Sequence, residues 1–119
     1  ILIFGAFGGR MDHHLASVFL PTNPEIGPFM SQLCLMDRQN YLCYRPAGRH
    51  TIQPIAGYTY VAFMPVEGAS IQIEGAKYPL NPTNYFKKAI YGSNEFSNQP
   101  ITLTLDRGYA LIIYSKDGK

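Results

Sequence analysis

The chain lacks several features that would mark it for a membrane or a nucleic acid. No apolar run reaches the roughly 18 residues that a membrane-spanning helix needs. The formal net charge is only +2, and Lys87 and Lys88 are the only adjacent basic residues, so there is no basic stripe to follow a nucleic-acid backbone. Hydrophobic residues make up 46% of the chain and charged residues 15%, which is typical of a globular protein. We therefore expect neither a membrane nor a nucleic-acid partner.

The chain also lacks an initiating methionine, since it begins at Ile1 inside an apolar run. We interpret it as the C-terminal part of a larger protein. A secretory signal would show a basic start, an apolar stretch and a small-residue cleavage site, and none of these is visible. The 119 residues suffice for one ordinary domain, or for a small domain and a remnant of another.

Cysteine is scarce, with only Cys34 and Cys43 present. The sequence Asp-Arg-Gln-Asn at positions 37–40 favours a turn between them, and a hairpin tip at residues 38–39 would place the two thiols directly opposite each other. Two reduced, half-buried thiols are the favoured interpretation, since a disulfide needs an oxidising compartment and suitable geometry. No second Cys/His pair has ligand spacing, so we expect no metal site in this chain.

The first third of the chain follows the pattern of an α/β domain. Residues 1–4 are apolar throughout, which predicts a buried strand. A helix is predicted next, over about residues 12–20, because the apolar side chains recur at the spacing of one helix face at Met11, Leu15, Val18 and Phe19. Pro21 is expected to end that helix, and the prolines and glycine of 24–28 to keep the next stretch irregular.

From about residue 31 the apolar pattern changes to the period of two that is typical of strands. Strand-like runs occupy residues 32–36, 41–45, 58–64, 69–74, 101–106 and 109–114, and turn signals lie at 46–48, 67–68, 75, 81–82 and 107–108. Many short strands at this spacing predict an antiparallel, jelly-roll-like β-sandwich. The expected fold is mainly β, with residues 1–45 as the strand-helix remnant of an α/β domain and residues 46–119 as the sandwich.

The stretch with the clearest chemistry follows the first strand and reads Gly8-Gly9-Arg10-Met11-Asp12-His13. Glycines let backbone N–H groups approach an anion, a helix N-terminus adds favourable partial charge, and Arg10 offers a fork of donors to phosphate oxygens. Asp12 could bind a divalent metal or a cationic substrate group, and it suits the N-cap of the predicted helix equally well. His13 and the neighbouring His14 are more typical of surface positions than of ligands.

Two further clusters offer polar and aromatic side chains. Tyr78, in the segment 75–80, precedes a proline at a predicted strand end, where its ring face could stack on a heterocycle or pack on the rim of the sandwich. Ser93 and Asn94 lie in a predicted loop at 92–96, where they could hydrogen-bond the edge of a heteroaromatic ring or simply form a turn. Considered alone, each cluster favours a structural role, which is packing on the sandwich rim for Tyr78 and turn formation for Ser93 and Asn94.

Taken together, the three clusters resemble the thiamine pyrophosphokinase family in their order and spacing. Members carry a Gly-Gly-Arg-x-Asp-His-like motif at the end of an α/β catalytic domain. A Gly-x-Lys-Tyr/Trp-x-Leu segment and a Ser-Asn-x-Phe-like segment follow in a C-terminal β-sandwich. These correspond to residues 8–13, 75–80 and 93–96, and Phe-Met-Pro at 63–65 is similar to the family's Ile-Pro pair. The resemblance spans residues 1–115.

The resemblance implies a cytoplasmic, homodimeric enzyme that transfers diphosphate from ATP to thiamine and releases AMP. It places thiamine between the catalytic domain of one subunit and the sandwich of the other. Gly8, Gly9, Arg10 and Asp12 would face the reacting end of the substrate. Tyr78 would pack on a thiamine ring, and Ser93 and Asn94 would hold the pyrimidine edge.

The family's acidic motifs that bind Mg²⁺ and ATP are absent here and are expected upstream of Ile1. The 119 residues alone are therefore expected to be inactive. Two alternatives of another class are a non-catalytic β-sandwich module that binds a small ligand and a regulatory thiamine sensor built on the same sandwich.

Overall fold

The computed structural model describes residues 2–4, by backbone alone, together with residues 18–81 and 85–117. Within these ranges the chain forms two short 3₁₀ helices, Leu20–Thr22 and Gly27–Gln32, and seven strands. The strands are β1 (Leu2–Phe4), β2 (Cys34–Met36), β3 (Asn40–Ile52), β4 (Tyr60–Val66), β5 (Ile71–Glu74), β6 (Tyr91–Asn94) and β7 (Ile101–Ser115).

The strands form one sheet in the order β1-β2-β3-β7-β4-β6, and β5 pairs with β7 away from this path. Strand β1 runs parallel to β2, and the other pairs are antiparallel. The C-terminal half of β7 lies between β3 and β4, whereas its N-terminal half lies between β3 and β5. The mainly β, antiparallel sandwich predicted from the sequence is confirmed.

Alternation along the strands produces two separate apolar cores. On β3, Cys43 belongs to the larger core, which also collects residues of β4, β5, β6 and β7, including Phe63, Ile73 and Leu103. Leu42 and Tyr44 point to the opposite face, where a smaller core forms under the two 3₁₀ helices. Successive side chains of a strand point to opposite faces, so a strand buried on both sides serves both cores.

Two predicted turns are in fact β-bulges inside long strands. The turn signal at 46–48 lies within β3, and the signal at 107–108 lies within β7. The two positions face each other in the β3–β7 pair, and the register of that pair shifts there, between Pro46 and Gly48. Positive φ angles at Gly48 (129°) and Gly108 (63°) accommodate the shift. Bulges bend strands locally, so β3 and β7 continue through this point into the second half of the sandwich.

Gly108→Ala should destabilise the fold by about 2 kcal/mol or more, through overpacking and an unfavourable left-handed backbone. A Cβ at this position would clash with the carbonyl oxygen of Val66 and lie 3.0 Å from the Cβ of Glu67. Gly68→Ala is the matched control, because its φ of 75° is similar while the nearest atom to an added Cβ is 4.0 Å away. Urea unfolding of the two variants measures the difference, and equal losses of stability would contradict this packing argument.

The remaining differences from the sequence prediction are local. The stretch expected to be irregular contains the 3₁₀ helix Gly27–Gln32, in which Pro28 occupies the first turn, where its missing N–H is tolerated. Strand β6 was not predicted, because its sequence, Tyr-Gly-Ser-Asn, consists largely of turn-forming residues. Tyr78 lies in a loop between isolated bridges at Ala76 and Leu80 and not at a strand end. Most of the helix predicted over 12–20 falls outside the described residues. No helix in the described part of the chain is long and apolar enough to cross a membrane.

Candidate functional site

A cavity of about 440 Å³ lies beside Tyr78, between the loop that follows β5 and the strand β6. Its wall is part apolar and part polar, and its lining includes Ile73, Lys77, Tyr78, Phe86, Tyr91 and Asn94. Cavities of this size with a few convergent polar groups suit small molecules. The cavity brings together two of the predicted site residues, Tyr78 and Asn94.

The ring of Tyr78 forms the outer wall of this cavity. Its side chain is 57% exposed, although it is large and partly apolar. The ammonium group of Lys77 lies 5.4 Å from the ring centroid and 3.2 Å from a carboxylate oxygen of Glu95. That carboxylate, as hydrogen-bond partner, raises the pKa of Lys77. The Tyr78 ring thus already carries one cation over a face while the residue stays largely exposed, as expected because an electron-rich ring face attracts cations.

Asn94 fixes the backbone of Tyr78. Its Oδ1 accepts hydrogen bonds from the backbone N–H groups of Tyr78 and Glu95, both at 2.9 Å. Its Nδ2 donates to the Tyr78 carbonyl oxygen at 2.9 Å. The carboxamide thus pairs with Tyr78 as a neighbouring strand would, and Asn94 is only 3% exposed. An amide nitrogen has two hydrogens, and among the described residues only Tyr78 accepts from Nδ2, which leaves a second N–H able to donate to a ligand.

A β-bulge turns Asn94 inward. Val61 pairs with Asn94 and Phe63 pairs with Tyr91, so two steps along β4 correspond to three along β6. Ser93 supplies the extra residue in a left-handed conformation with a φ of 56°. Side chains would otherwise alternate, and Tyr91 and Asn94 would face opposite sides of the strand. With the bulge, both are buried.

Tyr91 and Phe86 also line this cavity, and the sequence reasoning missed both. The Tyr91 hydroxyl donates to the carbonyl oxygen of Phe86 at 2.6 Å and accepts from the backbone N–H of Lys88 at 3.0 Å. The two rings meet edge to face at 5.7 Å. Burial is the largest cause that raises the pKa of Tyr91, so the phenol stays neutral and able to donate. The available signal was the position of Tyr91, directly before the Gly-Ser-Asn cluster.

A second cavity, of about 410 Å³, has a mostly apolar lining that includes Ile71, Tyr85, Leu105 and Asp106. The Asp106 carboxylate accepts a hydrogen bond from the Ser70 backbone N–H at 2.7 Å, which lowers its pKa. This carboxylate is already used to hold the β5–β7 connection. The lining of this cavity also includes Gln72, with its carboxamide, but none of the predicted site residues that the structure describes. The Tyr78 cavity contains two of them, so it is the better candidate for a heterocyclic ligand.

The stretch at residues 8–13, which the sequence predicts to bind phosphate, lies outside the described residues. Its predicted site residues Gly8, Gly9, Arg10 and Asp12 lie there, as do His13 and the neighbouring His14. Their predicted roles stay predictions. Within the described ranges, no group of three or more His, Cys, Asp or Glu residues could hold a metal ion.

Comparison with known proteins connects this cavity to a family. The sequence profile described as "Thiamin pyrophosphokinase, vitamin B1 binding domain" matches residues 49–110, a range that includes the whole cavity. The thiamine pyrophosphokinase of Bacillus subtilis (strain 168) is 30% identical over 125 aligned residues, which cover 98% of this chain and 55% of that protein. The chain therefore spans about half the length of the curated relative.

Solved structures agree with this match. A thiamin pyrophosphokinase family protein from Enterococcus faecalis is 34% identical, with a TM-score of 0.85 over 98% of this chain and 55% of its own. A protein from Lactobacillus plantarum is 31% identical, with a TM-score of 0.89 over 98% of this chain and 57% of its own. With the profile matching more than half of its residues, the chain belongs to the thiamin pyrophosphokinase, vitamin B1 binding domain family.

Proposed function

We propose that this chain is part of a thiamine pyrophosphokinase, which transfers diphosphate from ATP to thiamine and yields thiamine diphosphate and AMP. The observation that carries the proposal is the coincidence of the family match at residues 49–110 with the cavity beside Tyr78. An exposed aromatic ring beside a buried carboxamide suits a flat, cationic heterocycle such as thiamine, which would take the place of the Lys77 ammonium or use the opposite ring face. The domain division at residue 46 is part of the same proposal.

In this proposal Tyr78 packs its ring on thiamine, and Asn94 holds Tyr78 in place. The Oδ1 atom of Asn94 already accepts two backbone hydrogen bonds, so Asn94 contributes to the pyrimidine edge through its remaining N–H. Ser93 is exposed and does not line the cavity, so its proposed hydroxyl contact requires thiamine to extend past the lining toward the bulge in β6. The bulge turns Asn94 inward and gives Ser93 a left-handed backbone.

The reacting end of thiamine is assigned to the first cluster. Arg10 and the glycine backbone at positions 8–9 would hold phosphate oxygens, and Asp12 would face the cationic or metal-bound part of the reacting complex. The hydroxyethyl oxygen of thiamine attacks the β-phosphorus of ATP, a new P–O bond forms, and AMP leaves. Catalysis of such transfers rests mostly on positioning and on neutralising phosphate charge.

ATP and Mg²⁺ are part of this proposal, but the described residues do not fit a magnesium site, since they bring no three acidic or imidazole side chains together. We therefore assign no Mg²⁺ ligand among them and expect the ligands upstream of Ile1. A homodimer with thiamine held between subunits and a cytoplasmic location also belong to the proposal. The non-catalytic binding module and the thiamine sensor have no observation that favours them over the enzyme.

The 119 residues alone should make no thiamine diphosphate. Phosphoryl-type transfer depends on positioned metal ions, and their expected ligands lie outside this sequence. The purified chain is incubated with thiamine, Mg²⁺ and ATP, and AMP is measured beside the complete enzyme. Turnover comparable with that of the complete enzyme would contradict the assignment of the nucleotide site.

Ser93 variants test the role of the bulge residue. Ser93→Gly and Ser93→Ala both remove the hydroxyl, and each should weaken thiamine binding about five-fold if that hydroxyl hydrogen-bonds the ligand. The two variants should differ in stability, with Ser93→Gly the more stable, because only Gly relieves the strain of the left-handed backbone at a φ of 56°. Calorimetric titration and thermal melts are performed on the same preparations. Unchanged affinity in both variants would leave Ser93 as a structural bulge residue.

A further inference from the structure

Cys34 and Cys43 form a facing pair across β2 and β3. The β2–β3 register makes them directly opposed partners, as the position of the predicted hairpin tip implied. Both cysteines are free thiols. They lie on the larger-core face of the sheet, away from the Tyr78 cavity, and no role in the proposed function uses them.

The hairpin geometry determines how close the two thiols are. The Asp37 backbone N–H donates to the Asn40 carbonyl oxygen at 3.0 Å, so these residues are a hydrogen-bonded pair at the end of the ladder. Hydrogen-bonded and non-hydrogen-bonded pairs alternate along an antiparallel ladder, which makes Cys34 and Cys43 a non-hydrogen-bonded pair three steps away. Such pairs have Cα atoms about 4.5 Å apart, within the range of about 4.4–6.8 Å found for disulfides.

The two thiols differ in access. Cys34 is partly exposed, whereas Cys43 is only 6% exposed. The Tyr41 hydroxyl donates to the Cys34 Sγ atom at 3.2 Å, and both cysteines line an opening of about 220 Å³ together with Arg45. Burial raises the pKa of the Cys43 thiol to about 11, so this thiol is protonated at neutral pH. An oxidant that enters the opening therefore meets Cys34 as the more accessible sulfur.

A metal is a less suitable occupant of this pair. Structural zinc takes four ligands, and no third His, Cys, Asp or Glu joins the two thiols among the residues that the structure describes.

We propose that Cys34 and Cys43 are a peroxide-sensitive dithiol that closes to an intramolecular disulfide. The Cys34 sulfur attacks a peroxide oxygen and gives up its thiol proton, an S–O bond forms, the O–O bond breaks, and the leaving hydroxide takes up that proton to become water. The Cys43 sulfur then attacks the Cys34 sulfur, the S–S bond forms, the S–O bond breaks, and a second water leaves with the Cys43 proton. Two thiols lose two electrons and two protons, and one hydrogen peroxide is reduced to two waters.

Intact-protein mass spectrometry after hydrogen peroxide treatment tests this proposal on the purified protein. We expect the monomer to lose two hydrogens and both titratable thiols, and dithiothreitol to restore them. Cys43→Ala, which leaves no buried hydroxyl unsatisfied, should instead accumulate a sulfenic acid at Cys34 that dimedone traps. Cys34→Ser should keep Cys43 reduced under the same treatment. Peptide mapping then shows whether the crosslink joins these two residues.

Three results would overturn the proposal. One is a wild-type chain that proceeds to sulfinic acid without an intermediate lacking two hydrogens. Another is a disulfide that joins two chains. The third is a Cys34→Ser variant in which Cys43 oxidises as fast as Cys34 does in the wild type. Thermal melts of the variants before treatment establish that each compared protein is folded.

Discussion

Replacing Asp12 with Asn will reduce the turnover of the complete enzyme about a hundredfold or more, yet leave its melting temperature within a few degrees of the wild type. Asn caps a helix as well as Asp does, so a residue that is only an N-cap would tolerate this change. A charge partner at a phosphoryl-transfer site would not tolerate it, because the substitution preserves shape and removes the negative charge. Loss of one well-placed electrostatic group typically costs about this factor in rate.

Steady-state kinetics and a thermal melt on one preparation measure this effect. Asp117→Asn is a charge-matched control, since Asp117 is exposed near the end of β7. Asp117→Asn removes the same formal charge, and its turnover should equal that of the wild type. If Asp12→Asn retains full turnover, Asp12 is a helix cap, and the chemistry of the motif rests on Arg10 and the glycine backbone.

Tyr78→Ala should weaken thiamine binding by about 1–3 kcal/mol, or roughly 5- to 150-fold in Kd. The variant removes the ring face and the burial that a stacked ligand provides. Tyr78→Trp should bind nearly as well as the wild type, because it keeps a large aromatic face. Folding should change little in either variant, since the Tyr78 side chain is 57% exposed in the free protein.

Calorimetric titration with thiamine compares these variants with Phe29→Ala. Phe29 is 56% exposed and lies outside the Tyr78 cavity, so its loss matches that of Tyr78 in exposure and in ring size. Thiamine affinity should be unaffected by Phe29→Ala. Equal affinities for the wild type and Tyr78→Ala would make Tyr78 an ordinary residue of the sandwich rim.

Local patterns in the sequence predicted much of the fold. The Asp-Arg-Gln-Asn turn behaves as expected, with the Asp37 carboxylate accepting from the backbone N–H groups of Gln39 and Asn40 at 2.9 and 2.8 Å. The same turn sets the facing register of Cys34 and Cys43. Period-two alternation located most of the strands because each strand has at least one buried face.

The long strands were not predictable in the same way. Turn-forming residues at 46–48 and 107–108 normally interrupt strands, and only the β3–β7 register reveals that the two signals oppose each other. Paired in this way, they produce one shared bend. This information depends on pairing between segments about 60 residues apart in the sequence, which the local pattern does not contain.

Motif resemblance selected Tyr78 and Asn94, and the structure brings both to one cavity. The hydrogen bonds between them were not predictable, because they join residues 16 positions apart through a bulge that only the β4–β6 pairing shows. The same limit applies to Tyr91 and Phe86, which look like ordinary strand and loop aromatics in the sequence. The family resemblance selected these residues, and tertiary pairing determines which of their atoms are available to a ligand.

Single-tryptophan fluorescence tests the central claim, that thiamine binds against the ring at position 78, most directly. The chain contains no tryptophan, so Tyr78→Trp and Phe29→Trp each introduce one reporter at sites of nearly equal exposure. The account predicts that thiamine changes the emission of Tyr78→Trp in a saturable manner and leaves that of Phe29→Trp unchanged after correction for absorbance. A saturable change of equal size at both positions, or at neither while calorimetry shows thiamine bound, would contradict it.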